Sequence, residues 1–173
     1  HGVREKLVLA AEAATLCPSN YAQLTVSEYL ATQPWREQIK SFREVYRERR
    51  DAMLESLQAM MPEGTRWTIP AGGFYTWVTL PEGLDATAML PRAISELVAY
   101  VPGTGFYVDG QGSANMRLSY CYPDADRIRE GVRRLSTVVE AELEIARTFG
   151  TASGSTGSIP TVGEASTPGP DLA

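Results

Sequence analysis

Apolar residues recur at three- and four-residue steps through the first third of the chain, then at two-residue steps, and the change of period separates helices from strands. From Val3 to about Leu16, the residues Val3, Leu7, Ala10, Ala11 and Ala14 trace a narrow stripe, which predicts an amphipathic helix. Cys17-Pro18-Ser19-Asn20 ends it, because proline restricts the residue before it and Ser and Asn compete for local hydrogen bonds. A second helix is expected from Tyr21 to Ala31, with Leu24, Ser27 and Leu30 or Ala31 on one side. Neither helix is long enough to be stable without a surface to pack on. After Thr32-Gln33-Pro34, the series Ile39, Phe42, Tyr46, Arg49, Met53, Leu57 and Met60 or Met61 marks one face of a helix from Trp35 to Met61. Such a helix spans about 40 Å at its rise per residue, so it is expected to bridge two bodies. Arg43, Arg47, Arg49 and Arg50 interleave with Glu44, Glu48 and Asp51 at spacings that allow ion pairs, the pattern of a solvated face.

Pro62-Glu63-Gly64 stops that helix, and Arg66 to Ile69 reads as a short strand. Two further strands follow with a clean alternation. In Ala71 to Pro81, Phe74, Thr76, Val78 and Leu80 point one way and Tyr75, Trp77 and Thr79 the other; in Asn115 to Tyr120, Met116, Leu118 and Tyr120 share one face, which leaves Arg117 with Ser119. A guanidinium on a strand is restrained, and its planar fork matches a carboxylate at two points. Arg117 is therefore the leading candidate for a binding residue, against the plainer readings of a solvated edge charge or a structural ion pair. Gly72-Gly73 at the head of the first strand leaves room for close approach by a ligand or another segment.

Between these strands, Asp85 or Thr87 caps a helix carrying Met89, Leu90, Ala93, Ile94 and Leu97, with Pro91 acceptable only in its first turn. Val98 to Val101 has β character. Gly103, Gly105, Gly110 and Gly112 match neither the dinucleotide fingerprint nor the P-loop. A last helix is expected from Ala125 to Arg147, capped by Asp124, with Ile128, Val132, Leu135 and Leu143 inward. From Gly150 onward Gly, Ser, Thr and Pro dominate, the composition of a disordered tail. The order helix, strand, strand, helix, strand, strand, helix predicts an α+β fold: a small antiparallel-rich sheet covered by helices, with a long bridging helix.

Composition narrows the function. A net charge of −5 over 173 residues gives no footprint for nucleic acid or anionic membrane, and no apolar run is long enough to span a bilayer. A single histidine, His1, leaves no Ser-His or Cys-His pair, and Cys17 and Cys121 lack partners at metal-ligand spacing, so no metal site is expected. The default setting is reducing and cytoplasmic.

Four stretches in order carry a resemblance: Pro70-Ala71-Gly72-Gly73-Phe74-Tyr75-Thr76-Trp77 through Leu80-Pro81, Val101-Pro102-Gly103-Thr104-Gly105-Phe106, Asn115 to Tyr120, and Asp126-Arg127-Ile128 through Gly131-Val132-Arg133-Arg134-Leu135. From Val3 to Arg147 the chain resembles the C-terminal third of class I/II, fold-type I aminotransferases, which use pyridoxal 5′-phosphate. The nearest branch includes 2-aminoadipate and aromatic aminotransferases and the aminotransferase-like domains of MocR regulators. The resemblance implies that Arg117 binds the substrate α-carboxylate. It puts Gly72, Gly73 and Phe74 at the active-site mouth, although Phe74 reads equally well as a core aromatic. It puts Asn20 and Gln23, in Pro18-Ser19-Asn20-Tyr21-Ala22-Gln23, near a dimer or active-site contact. It implies amino acid and 2-oxo acid substrates and a homodimer. Residues 1–34 would pack on a large domain, 35–149 would form the small domain, and 150–173 the tail.

One departure is pronounced. The family's Schiff-base lysine, its phosphate-binding arginine and loop, and its aspartate on the pyridine nitrogen have no counterparts here; Lys6 and Lys40 both stand on helix patterns. The chain is thus expected to be the C-terminal part of a longer aminotransferase, with the main cofactor anchors outside it. The alternatives are the effector-sensing domain of a MocR-type regulator and a non-catalytic α+β interaction module.

Overall fold

A computed structural model describes residues 2–150; of the tail expected over 150–173, residues 151–173 lie outside them. The elements run α1 (Gly2–Thr15), α2 (Asn20–Thr32), α3 (Trp35–Met60), β1 (Arg66–Trp67), β2 (Tyr75–Thr79), α4 (Ala86–Ser95), β3 (Val101–Pro102), a 3₁₀ turn (Gly103–Phe106), β4 (Asn115–Ser119) and α5 (Ala125–Phe149). The strands form one antiparallel sheet in the order β1-β2-β4-β3. The expected α+β arrangement is the one observed.

Alternation decides which face is covered. Thr76, Val78, Leu80, Met116, Leu118 and Tyr120 are buried under α3, α4 and α5, together with Met53, Leu57, Met89, Val132 and Leu135. The opposite face carries Tyr75, Trp77, Thr79, Asn115, Arg117 and Ser119, and none of the described helices packs on it. Asp85 caps α4 by accepting from the Thr87 and Ala88 amides, and Asp124 caps α5 by accepting from the Arg127 amide.

The long α3 is covered unevenly, and two local expectations need correction. The apolar face of α3 is buried only from Ala52 onward, and Ile39, Phe42 and Val45 stay exposed, because the sheet ends before the first turns of the helix reach it. Pro91 lies in the second turn of α4 rather than the first; it forfeits the bond to the Thr87 carbonyl, and burial of Met89 and Ala93 keeps the turn helical. The Val98–Val101 strand shrinks to Val101–Pro102. Leu97 closes α4 in the left-handed region at φ 60°, and the Val98 amide still donates back to Ala93 O. Residues 98–100 are then used to carry Tyr100 beneath α4, where its hydroxyl donates to Ala86 O at 2.6 Å.

Burial, reinforced by the carboxylates of Asp85 and Glu142, pushes the Tyr100 phenol up to about 12. A folded-state pKa above the unfolded value near 10 means that its contribution is complete below pH ~10 and is lost as pH rises towards 12. Tyr100→Phe is expected to cost ~1 kcal/mol at neutral pH through the lost hydrogen bond. The gap from wild type should narrow between pH ~10 and 12, as read by denaturant titrations across that range.

Candidate functional site

Arg117 sits mid-strand in β4, paired with Trp77 of β2 on one side and Val101 of β3 on the other. It is half-buried, and its guanidinium carbon lies 4.1 Å from the centroid of the Tyr75 ring and 5.1 Å from that of Phe106. Among the described residues it meets no carboxylate and donates no hydrogen bond to protein. Its strand is interior to the sheet rather than at an edge, and no ion pair engages it among the described residues. Contact with aromatic faces stabilises the cation and leaves the in-plane N–H donors for an external acceptor.

Phe106 reaches this face from the 3₁₀ turn after β3 and packs edge-on against Trp77, with centroids 5.2 Å apart. The turn is tied down by close approach. A Cβ on Gly103 would lie 2.5 Å from Asn115 Cβ and 2.6 Å from Gly112 O; one on Gly112, at φ +85°, would lie 2.4 Å from the Tyr107 ring. Asn115 donates from its amide to Gly112 O at 3.0 Å and from Nδ2 to Thr79 Oγ1 at 2.9 Å. Tyr75 shares a sheet face with Arg117 by strand alternation alone, a signal present in the sequence. Phe106 had no such signal, because a loop delivers it.

The Gly72-Gly73-Phe74 segment forms the rim of an open groove of about 570 Å³ against the first half of α3, with Phe42, Arg43, Tyr46 and Tyr120 in its wall. Gly73, at φ +84°, accepts the Tyr120 hydroxyl at its carbonyl. Phe74 is 42% exposed and meets Tyr46 edge-on at 4.8 Å, so it is not a core aromatic. Of the basic cluster on α3, Arg47 pairs with Glu44 as expected of a solvated face. Arg50 pairs with Asp51 at 2.7 Å, also as expected, and in addition donates to Pro70 O at 3.4 Å; Arg49 instead turns inward and donates to Cys121 O at 2.6 Å, so both tie α3 to the segments flanking the two central strands.

Asn20 and Gln23 are exposed on α2, which buries no residue and does not pack on the sheet; Gln23 donates to Pro18 O. The structure brings neither to Arg117. A larger hollow of about 730 Å³ lies between α4 and the end of α5 and has none of these residues in its lining. Of the acids in its lining, Asp85 caps a helix and Glu142 pairs with Arg92 at 2.7 Å. Among the described residues no cluster could hold a metal ion, and no helix is long and apolar enough to cross a membrane. Lys6 and Lys40 are exposed on α1 and on the unburied half of α3, away from the sheet face. The residues described here therefore do not by themselves fit pyridoxal 5′-phosphate, for want of a lysine beside Arg117.

No protein-family model matches the chain. Among characterised proteins, it is 38% identical over 144 residues to aromatic-amino-acid aminotransferase 1 of Thermococcus litoralis, covering 83% of this chain and 34% of the relative. It is 40% identical over 141 residues to 2-aminoadipate transaminase of Thermus thermophilus, covering 82% and 35%. The fold matches the crystal structure of LysN, the alpha-aminoadipate aminotransferase of Thermus thermophilus, complexed with N-(5′-phosphopyridoxyl)-L-leucine: TM-score 0.72, 39% identity, 83% of this chain and 37% of that one. A further likeness, 30% identical over 115 residues and covering 66% and 23%, is to the uncharacterised HTH-type transcriptional regulator YisV of Bacillus subtilis. The chain spans about a third of the length of the aminotransferases it matches. By sequence and by fold, it corresponds to the C-terminal portion of a fold-type I aminotransferase.

Proposed function

We propose that the chain is the substrate-carboxylate-binding C-terminal part of a pyridoxal 5′-phosphate-dependent aminotransferase, which moves an amino group from an amino acid to a 2-oxo acid. The observation that carries this reading is the Arg117 guanidinium: restrained on a strand, laid against two rings, and without a protein acceptor among the described residues. Two parallel N–H contacts to a carboxylate would fix the amino acid at one end and so limit the orientations open to its Cα substituents. The Schiff-base lysine and the phosphate anchors belong to the rest of the parent protein.

Several features support the domain assignment that goes with this reading. α1 and α2 bury no residue and expose Leu7, Leu9, Leu24 and Leu30, as helices of residues 1–34 would if they packed on a large domain. The exposed first half of α3 then bridges to the small domain of residues 35–149. Gly72, Gly73 and Phe74 border the active-site mouth, and Asn20 and Gln23 lie towards the second subunit of a cytoplasmic homodimer.

A second reading, the effector-sensing domain of a MocR-type regulator, draws on the likeness to YisV. Purification of the intact protein separates the two. An aminotransferase is expected to carry the absorbance of bound cofactor and to convert an amino donor and a 2-oxo acid into the exchanged pair. Cofactor absorbance with no turnover across a panel of amino acids, and retention on duplex DNA, would favour the regulator.

A further inference from the structure

We infer that Tyr75 and Phe106 are positioning residues that hold the Arg117 fork in place by their ring faces, an inference that rests on the carboxylate reading of Arg117. A strand arginine has a long, flexible stem, and the usual way to fix its head is a neighbouring carboxylate or carbonyl that accepts from it. Here no such acceptor is present among the described residues. What lies against the guanidinium is the Tyr75 ring at 4.1 Å and the Phe106 ring at 5.1 Å, one from β2 and one from the turn after β3. A carboxylate partner within the protein would occupy donors that a ligand needs and would offset the charge that attracts it. Aromatic faces restrain the plane while leaving the N–H donors and the full positive charge for the incoming anion.

Neither ring has a core duty to explain its place. Tyr75 is 43% and Phe106 49% exposed, both on the face that no described helix covers. Phe106 is itself oriented, edge-on against Trp77 at 5.2 Å, and the turn that carries it is fixed by the tight approach of Gly103 to Asn115. The chain of support thus runs from the packed turn to Phe106 and from Phe106 to Arg117.

The test uses the intact protein and two calorimetric probes: 3-phenylpropionate, which has one carboxylate and no amino group, and its neutral isostere 3-phenylpropionamide. In Phe106→Leu and Tyr75→Leu the preference for the acid over the amide is expected to fall about five- to tenfold. Tyr75→Phe, which keeps the ring, should stay within about twofold of wild type. Melting midpoints and amide binding should hold in all three, because the removed atoms are half-exposed. If both leucine variants keep the acid preference while Arg117→Ala abolishes it, the rings are idle, and this inference fails while the carboxylate reading stands. If Arg117→Ala itself keeps the preference, the carboxylate reading fails and takes the inference with it. A fall in amide binding together with the melting midpoint in the leucine variants would mark a general structural role and would also overturn the proposal.

Discussion

Arg117→Ala in the intact protein is expected to lower kcat/KM for the amino acid substrate by about 100- to 10,000-fold, the loss of two charge-assisted hydrogen bonds at roughly 1.5–3 kcal/mol each. Most of the effect should appear in KM if the carboxylate contact is equally strong before and during reaction, and in kcat to the extent that it orients Cα for proton loss. Arg117→Lys keeps the charge but gives up the fork and the flat surface that the Tyr75 and Phe106 rings meet. About 10- to 100-fold is expected for it, because a point charge cannot reproduce a two-pronged contact. Stability should behave differently from activity. The guanidinium has no protein acceptor among the described residues, so its removal orphans no carboxylate, and the melting midpoint should barely move. Initial-rate kinetics beside a thermal melt reads both. Unchanged kinetics in the alanine variant would remove the carboxylate assignment.

Gly103→Ala is expected to show the reverse pattern, a large stability loss from a single methyl group. Its Cβ would sit 2.5 Å from Asn115 Cβ and within 3 Å of two carbonyl oxygens, those of Gly112 and Asn115. Two of these three neighbours are backbone, and Asn115 is further held by β4 and by its bond to Thr79. The strain cannot be relieved by rotating a side chain, and about 2–4 kcal/mol of destabilisation is expected, in the range of overpacked cores. For a domain of this size that is on the order of 10 °C in melting midpoint. Gly105→Ala, two residues on, is the control: no atom lies within 4 Å of its added Cβ, so its midpoint should stay close to wild type. Equal melting of the two variants would mean that the turn relaxes more freely than its contacts suggest.

Sequence reasoning reached those parts of the molecule where one period is held over several residues. β2 and β4 keep strict alternation, so the core face through Val78 and Met116, and the opposite face through Trp77 and Arg117, followed from spacing alone. The buried stripe of α5 followed in the same way from Ile128, Val132 and Leu135, each now in the core. It was less informative where a feature depends on two distant segments meeting. The glycines at 103 and 112 read as turn residues; that one is pressed against Asn115 and the other against Tyr107 is a matter of packing. The inward turn of Arg49 was hidden by a helical charge pattern that is normally solvated, because its acceptor is a carbonyl 72 residues away. The short β3 was obscured because an apolar run such as Val98 to Val101 does not reveal that a left-handed leucine is still completing the helix before it.

The half-buried α3 has a mechanical consequence. From Trp35 to Ala52 the helix extends about 25 Å at 1.5 Å per residue, and burial begins only at its far end. It is a lever arm with its fulcrum on the sheet: a tilt of about 5° at Ala52 carries the Trp35 end through roughly 2 Å, given that arm length. Near the fulcrum, Tyr46 touches Phe74, Phe74 adjoins Tyr75, and Tyr75 lies against the guanidinium of Arg117. Whatever grips the outer end of this helix therefore has a short, rigid linkage to the cation on the open face of the sheet.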